Sequence, residues 1–423
     1  MMLLERLADR TAEHGEVAVA VVGAGFMGRG LVQQIALTPG MRVALVVARR
    51  PEIAVEAFSA AGLLEPLVSD DSAALADAVG AGRAAVTRDA AATAELEEID
   101  VVVEATGALE FGAAVILGAL QAGKDVVSLN AELDATIGHL LYAEAERAGG
   151  VYSIADGDQP GVLFRQMEFV SGMGLELIAA VNCKRNLDVH QNPDDSRPYA
   201  ERDRTSVSMT TAFGDGTKMQ IENAVLANIT GLVPDRRGMH GVETTLDHAV
   251  ADITGVLERD GVVEYTLGGD FGGGVFVIGR SEDDWVRHYL RYAKLGDGPD
   301  YLFFRPYHLL HFEVPLTIAQ VVVDRHPLGK PVGPPVAEVV AMAKRDLRPG
   351  DALDGIGGFC CYGHVDTAER AEGYLPIGLA GHGRVVEPVS IDKPVPLAAV
   401  ELDEEAELVA LRARRDALTA ART

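Results

Sequence analysis

Val21-Val22-Gly23-Ala24-Gly25-Phe26-Met27-Gly28 is the stretch on which the reading of this chain turns. An apolar, β-branched run precedes it (Val17 to Val22) and a helical period follows it (Met27 to Leu37). The glycines therefore stand at a strand-to-helix turn. Gly23 permits the tight turn, Gly25 lets backbone approach a pyrophosphate, and Gly28 lets the helix pack on the strand. The new helix opens at Phe26 and Met27 with N–H groups free for an anion. An ordinary glycine-rich turn would carry the same letters, and the flanking strand and helix are what make it a dinucleotide site.

The next strand, Met41 to Ala48, ends in Arg49-Arg50-Pro51. An acidic residue roughly 20 residues past the glycines would accept from a ribose 2′-OH and repel a 2′-phosphate. Ala48 fills that slot, and Arg49 and Arg50 offer guanidinium groups to the phosphate, so the expected cofactor is NADP(H). The alternative is a solvated arginine pair on the surface.

The alternation continues as helix 51–61, strand 100–104, helix 109–122, strand 125–128, helix 134–147 and strand 151–154, with an Ala- and Asp-rich insertion between Ser69 and Glu98 that reads as helices and one short strand, Ala84 to Thr87. Strands separated by helical periods imply right-handed crossovers and a parallel, doubly wound sheet. Thr106 and Gly107 then lie at its carboxyl edge, beside the nicotinamide half of a cofactor. Asn130 ends the next strand on that edge, either as a cofactor or substrate contact or as a helix cap.

The chain has 423 residues, is 48% hydrophobic and carries a net charge of −26. That length supports two or three cores. So acidic a surface argues against nucleic acid or anionic membrane as partner and makes local basic clusters informative. Cys183, Cys360 and Cys361 form no CxxC pair, which fits a reducing cytoplasm. The charged N-terminus has the spacing of a short amphipathic helix rather than of a signal peptide.

Gly, Pro and Asp accumulate from Asp156, marking the exit from the nucleotide domain. The expected organisation is a Rossmann-type NADP-binding domain (1–157), an α+β catalytic domain (158–325) whose last apolar helix returns to the first domain, a small all-β module (336–400) and a C-terminal helix (401–423). A small-molecule substrate and a homo-oligomer are expected for this size and class.

Several motifs resemble the homoserine dehydrogenase superfamily, and within it the branch of 1-deoxy-D-xylulose 5-phosphate reductoisomerase-like proteins with a C-terminal SAF domain. They are Gly23-Ala-Gly-Phe-Met-Gly28-Arg-Gly30, Ala155-Asp-Gly-Asp-Gln-Pro-Gly161, Lys184-Arg-Asn186, Asp215-Gly-Thr-Lys218, Arg236-Arg-Gly-Met239, Arg305-Pro-Tyr-His308 and Lys344-Arg-Asp-Leu-Arg-Pro-Gly350. The resemblance spans nearly the whole chain and implies an NADPH-dependent oxidoreductase or reductoisomerase acting on a sugar-phosphate-like or branched polyol substrate, and a SAF-like fold for 336–400. Homoserine dehydrogenases carry Ala-Asn-Lys where this chain has Leu129-Asn130-Ala131, which keeps the amide and loses the amine. That departure points away from homoserine. A simple dehydrogenase of a hydroxy acid or semialdehyde and a non-catalytic NADP sensor or assembly protein are the alternatives.

Hydride transfer to a carbonyl needs a proton donor or cation at the oxygen. Lys184, at the end of an apolar strand, is the first candidate, with Asn186, Asp188 and Glu222 as further catalytic candidates; a solvated charged loop is the alternative. Arg236, Arg237 and His240, in a glycine-bounded loop, and Lys330, in a Pro-rich turn, are substrate-anion candidates, with surface ion pairing as the other reading. A divalent cation is a further candidate, for which Asp188, His190, Glu222 and His240 lack diagnostic spacing. His308 and His311 read as structural histidines one turn apart on an apolar helix.

Overall fold

The computed structural model describes residues 2–421. The chain divides into two compact units: 1–158 with 309–330, and 159–308 with 331–423. In chain order, the first unit opens with α1 (Leu3–His14), β1 (Val17–Val22), α2 (Phe26–Ala36), β2 (Met41–Val47) and α3 (Pro51–Ala60). It continues through β3 (Leu67–Val68), α4 (Ser72–Gly80), β4 (Ala85–Thr87), α5 (Ala92–Glu95), β5 (Val101–Glu104), α6 (Leu109–Gln121), β6 (Asp125–Ser128), α7 (Ala131–Ala148) and β7 (Tyr152–Ile154).

Its seven strands form one sheet in the order β3-β4-β2-β1-β5-β6-β7, every neighbour pair parallel. The all-apolar run Val17 to Val22 is central and buried along its whole length, as a strand covered on both faces must be. The inserted segment after Ser69 supplies α4 and α5, with β4 at the short strand expected over 84–87. The fourth major helix starts at Ala131, three residues before the sequence expectation. The Asn130 carboxamide oxygen accepts from Leu133 N at 3.1 Å and so provides the N-cap.

The second unit begins with α8 (Gln159–Gly172), β8 (Glu176–Lys184), α9 (Pro193–Asp203), α10 (Val207–Gly214) and α11 (Thr217–Thr230). Then come β9 (Val233–Pro234), β10 (Val242–Glu243), α12 (Ala249–Thr254), β11 (Val262–Leu267), β12 (Val275–Arg280), α13 (Asp284–Tyr292) and β13 (Asp300–Arg305). The sheet is mixed: β11 runs parallel to β8, whereas β12 is antiparallel to both β8 and β13. Strand β13 forms one edge.

The chain then rejoins the first unit. His308 lies in a loop and His311 in a short 3-10 turn (Leu310–Phe312), so the two do not share an apolar helix; that helix, α14 (Val314–Asp324), begins later, with Pro315 in its first turn. Val314, Ile318, Ala319 and Val321 of α14 join the core made by β1, α2 and β2. Each of the valine and isoleucine side chains contributes roughly 1.5–3 kcal/mol by its burial.

The C-terminal stretch is β14 (Ala337–Ala343), β15 (Cys361–Thr367), α15 (Ala368–Ala371), β16 (Gly383–Val385), β17 (Val400–Leu402) and α16 (Glu407–Ala420). It forms two small antiparallel sheets, β14-β15 and β16-β17. By packing it belongs to the second unit rather than forming a third. The cause is α11, where Thr217 Oγ1 accepts from Gly363 N at 2.9 Å, Gln220 Oε1 from Val365 N at 2.9 Å, and Asn228 Oδ1 from Ala337 N at 3.1 Å.

In the first unit, Asp134 is buried on α7 and accepts a 3.0 Å hydrogen bond from the Tyr152 hydroxyl, while Tyr142 packs edge-on to Tyr152. Burial pushes the Asp134 carboxyl up to about 7. A folded-state pKa raised in this way gives stability that is full at low pH and is lost as pH rises through about 7. Asp134→Asn should abolish that slope. Melting temperatures taken between about pH 4 and pH 8 should show the wild type losing ground to the variant as pH rises, and parallel curves would refute the assignment.

Candidate functional site

In the nucleotide domain the strand order reverses about β1, with β2 on one side and β5 on the other, which opens a crevice at the carboxyl edge. Gly23 has φ +105°, and a Cβ on it would stand 3.2 Å from the Ala105 carbonyl oxygen and from Thr106 Cγ2. The glycine turn is thus pressed against the Thr106-Gly107 turn. A Cβ on Gly28 would run into the Gly23 carbonyl, whereas one on Gly25 would meet nothing within 4 Å. Gly25 caps α2 without a side chain, so the first-turn N–H groups at Phe26 and Met27 face no competing cap. These features fit a dinucleotide pyrophosphate.

Arg49 and Arg50 are exposed just past β2, and among the described residues no hydrogen bond or ion pair engages either guanidinium. Beside them, Ala48 N donates to Thr87 O, bringing Arg88 to the same edge. Sequence reading passed over Arg88, whose guanidinium pairs with Asp70 at 3.1 Å. Asn130 is committed to structure: besides capping α7, it donates to Ala108 O at 3.1 Å. Glu104, at the end of β5, is buried and accepts from Thr106 N at 2.8 Å, and burial holds its carboxyl above the usual range.

In the second unit Lys184 ends β8 opposite Leu267 of β11. It is 6% exposed, donates from Nζ to the Phe213 carbonyl and sits 4.1 Å above the Phe213 ring. Burial lowers its pKa to about 8, against the upward pull of Glu222 and Asp215. It is therefore no solvated loop residue. Glu222 does not face water either: it is buried on α11, 3.7 Å from Lys218 Nζ.

Asn182, two residues before Lys184 and on the same strand face, is buried with neither side-chain amide atom hydrogen-bonded. Such an orphan amide is costly unless something fills it. The signal was present as a single amide in the apolar run Leu-Ile-Ala-Ala-Val-Asn182.

Other expected site residues are placed elsewhere. Asn186 is exposed in the loop, and Asp188 shapes that loop by accepting from His190 N at 3.0 Å. The Arg236 Nε donates to Met239 O at 3.1 Å. Arg237 is tied to Asp366 at 2.7 Å and stacks on Tyr374, and His240 pairs with Asp235 at 2.9 Å. Lys330 pairs with Glu146 at the surface of the first unit. The anion candidates are thus engaged within the protein. His190 bonds to Asp392 at 2.8 Å, and among the described residues no three His, Cys, Asp or Glu side chains gather as a metal site. The cysteines are free, and no described helix is long and apolar enough to cross a membrane.

Comparison with known proteins divides the chain at the same place. Residues 23–154 match the NAD-binding domain of homoserine dehydrogenase, and residues 157–314 match the catalytic domain of oxidoreductase DRL. The homoserine dehydrogenase of Corynebacterium glutamicum is 44% identical over 63 residues, which is 15% of this chain and 14% of that enzyme. Among solved structures, scyllo-inositol dehydrogenase from Lactobacillus casei has a TM-score of 0.44 at 13% identity, covering 74% of this chain and 89% of that one. A myo-inositol dehydrogenase from Corynebacterium glutamicum has a TM-score of 0.42 at 11% identity, with 73% and 89% covered. The two matched domains define the class, an oxidoreductase built on a nicotinamide-nucleotide domain.

Lys344 reaches α11 from the C-terminal stretch, and its Nζ donates to Asp215 Oδ2 at 2.8 Å, Gln191 O at 2.8 Å and Gly358 O at 2.9 Å. Lys344→Met should cost about 3–5 kcal/mol in denaturant unfolding, because the Asp215 charge is left buried and alone. The freed carboxylate should also favour the charged form of Lys184. Amine labelling of Lys184 followed against pH should shift upward, and an unmoved profile would dissociate the two sites.

Proposed function

We propose that this protein is an NADPH-dependent oxidoreductase that reduces the carbonyl of a small, polar, ketose-like substrate, with Lys184 as proton donor. The observation that carries this reading is the buried ammonium of Lys184, held at the end of a strand with its pKa lowered to about 8. A desolvated amine beside the buried carboxylate of Glu222 suits proton delivery near neutral pH.

When bound, the nicotinamide supplies a hydride. The chain's own part is to place the cation at the oxygen where charge develops and to give that oxygen a proton. Asn182 offers an amide to a substrate hydroxyl on the same strand face, and after the amine has given up its proton it takes another from solvent, its charged form favoured by the Glu222 carboxylate. The choice of NADPH rests on Arg49 and Arg50, whose guanidinium groups have no partner among the described residues and lie just past the end of β2, where an acidic residue would select NADH.

The resemblance to reductoisomerase-like proteins extends the proposal to a carbon-skeleton rearrangement before reduction, with a deoxyxylulose phosphate or related ketose as substrate. Because Arg237, His240 and Lys330 already have partners, a free ketose belongs in the same trial.

NADPH oxidation measured with a panel of phosphorylated and free ketoses should reveal turnover that Lys184→Ala removes while NADPH still binds. The wild-type rate should fall as pH rises through about 8, where Lys184 loses its proton. Turnover surviving in the variant would refute the assignment. Replacing Arg49 and Arg50 together by Ala should weaken NADPH by at least about tenfold, or 1.4 kcal/mol, and leave NADH nearly unchanged; equal losses would contradict the phosphate reading.

A further inference from the structure

Helix α13 (Asp284–Tyr292) buries none of its residues. Helices of nine residues are marginal in water unless an apolar face is packed. This one has such a face. Trp285, Tyr289 and Tyr292 follow one another at i, i+4 and i+7, and are 71%, 62% and 80% exposed. Trp285 and Tyr289 stack with ring centroids 6.2 Å apart, and His288 meets both edge-on, so these three rings form one cluster, with Tyr292 exposed three residues further along the helix. Trp285 is the only tryptophan in the chain. Large exposed aromatics grouped in this way mark an interface rather than ordinary surface.

We propose that this aromatic face is the two-fold contact through which two copies of the chain associate, α13 lying antiparallel against its own copy. The charges on the helix favour that occupant. Asp283 and Asp284 stand at its N-terminus, and Arg291 and Lys294 at its C-terminal end. Asp283 is the N-cap and accepts from Trp285 N and Val286 N, both at 2.9 Å, so its carboxylate is fixed in place. Arg291 pairs with the exposed Asp297 at 2.6 Å.

An isologous interface requires a surface complementary to itself. A two-fold axis passing near Tyr289 sets Trp285 against the partner's Tyr292, and brings the acidic end of each helix to the basic end of the other. A parallel arrangement would instead place like charges together. Because every contact occurs twice, the face supplies a compact aromatic centre of the kind that dominates interface energetics.

Sedimentation velocity over a concentration series, read together with Trp285 emission, tests this with the full-length protein. A dimer is expected, with emission moving to shorter wavelength as dimer forms. Tyr289→Asp should weaken dimerisation by at least about tenfold without changing circular dichroism. Asp284→Arg and Arg291→Asp should each weaken it, and the double reversal should restore it. A chain that stays monomeric throughout overturns the proposal. So does a dimer that persists in Tyr289→Asp with Trp285 still emitting as a solvated indole.

Discussion

A buried ion pair holds the second unit to a single arrangement. Asp215 and Lys344 are both almost free of solvent contact, and two charges taken out of water persist only when each finds the other with its remaining hydrogen-bonding capacity filled. Lys344 meets that condition with two backbone carbonyls besides Asp215, one of them on the loop that follows Lys184. The same carboxylate accepts from Thr217 N at 2.9 Å and so fixes the start of α11. The C-terminal stretch, the Lys184 loop and the helix carrying Glu222 are therefore pinned by one pair of charges. The position of the Lys184 amine is a property of that assembly rather than of its own strand alone.

The first unit works by a different constraint. A parallel sheet buried on both faces leaves its polar chemistry to the strand ends, and the turns after β1 and β5 are forced close because Gly23 has no side chain to hold them apart. What the crevice can accept is written in backbone there, and Arg49 and Arg50, exposed just past β2, add positive side-chain charge.

Much of this was legible in sequence for local reasons. The glycine spacing, the apolar period of β1 and the alternation through β7 each arise within one crossover, and the structure reproduces them to within a few residues. Lys184 stood out because a charge directly after an apolar strand has to be held somewhere. The residues that escaped are those whose partners lie far along the chain. Glu222 is a catalytic candidate from sequence, but its burial is not legible there, because it comes from the packing of the distant β14 and β15 on α11. Arg237 reads as an anion ligand until Asp366, on β15, claims it. Asn130 went the other way: its short-range cap is the commoner use of such a residue, and the structure chose it.

Helix α11 carries one more implication. Apart from Lys218 and Thr230 its side chains are enclosed on every side, and three of the buried polar ones spend their hydrogen bonds on the last ninety or so residues of the chain. That terminal segment is consequently not a detachable cassette. Swapping it between relatives, or losing it by proteolysis, would strand amides and hydroxyls in a dry interior, so inheritance of helix α11 and of the β-rich tail should be locked together.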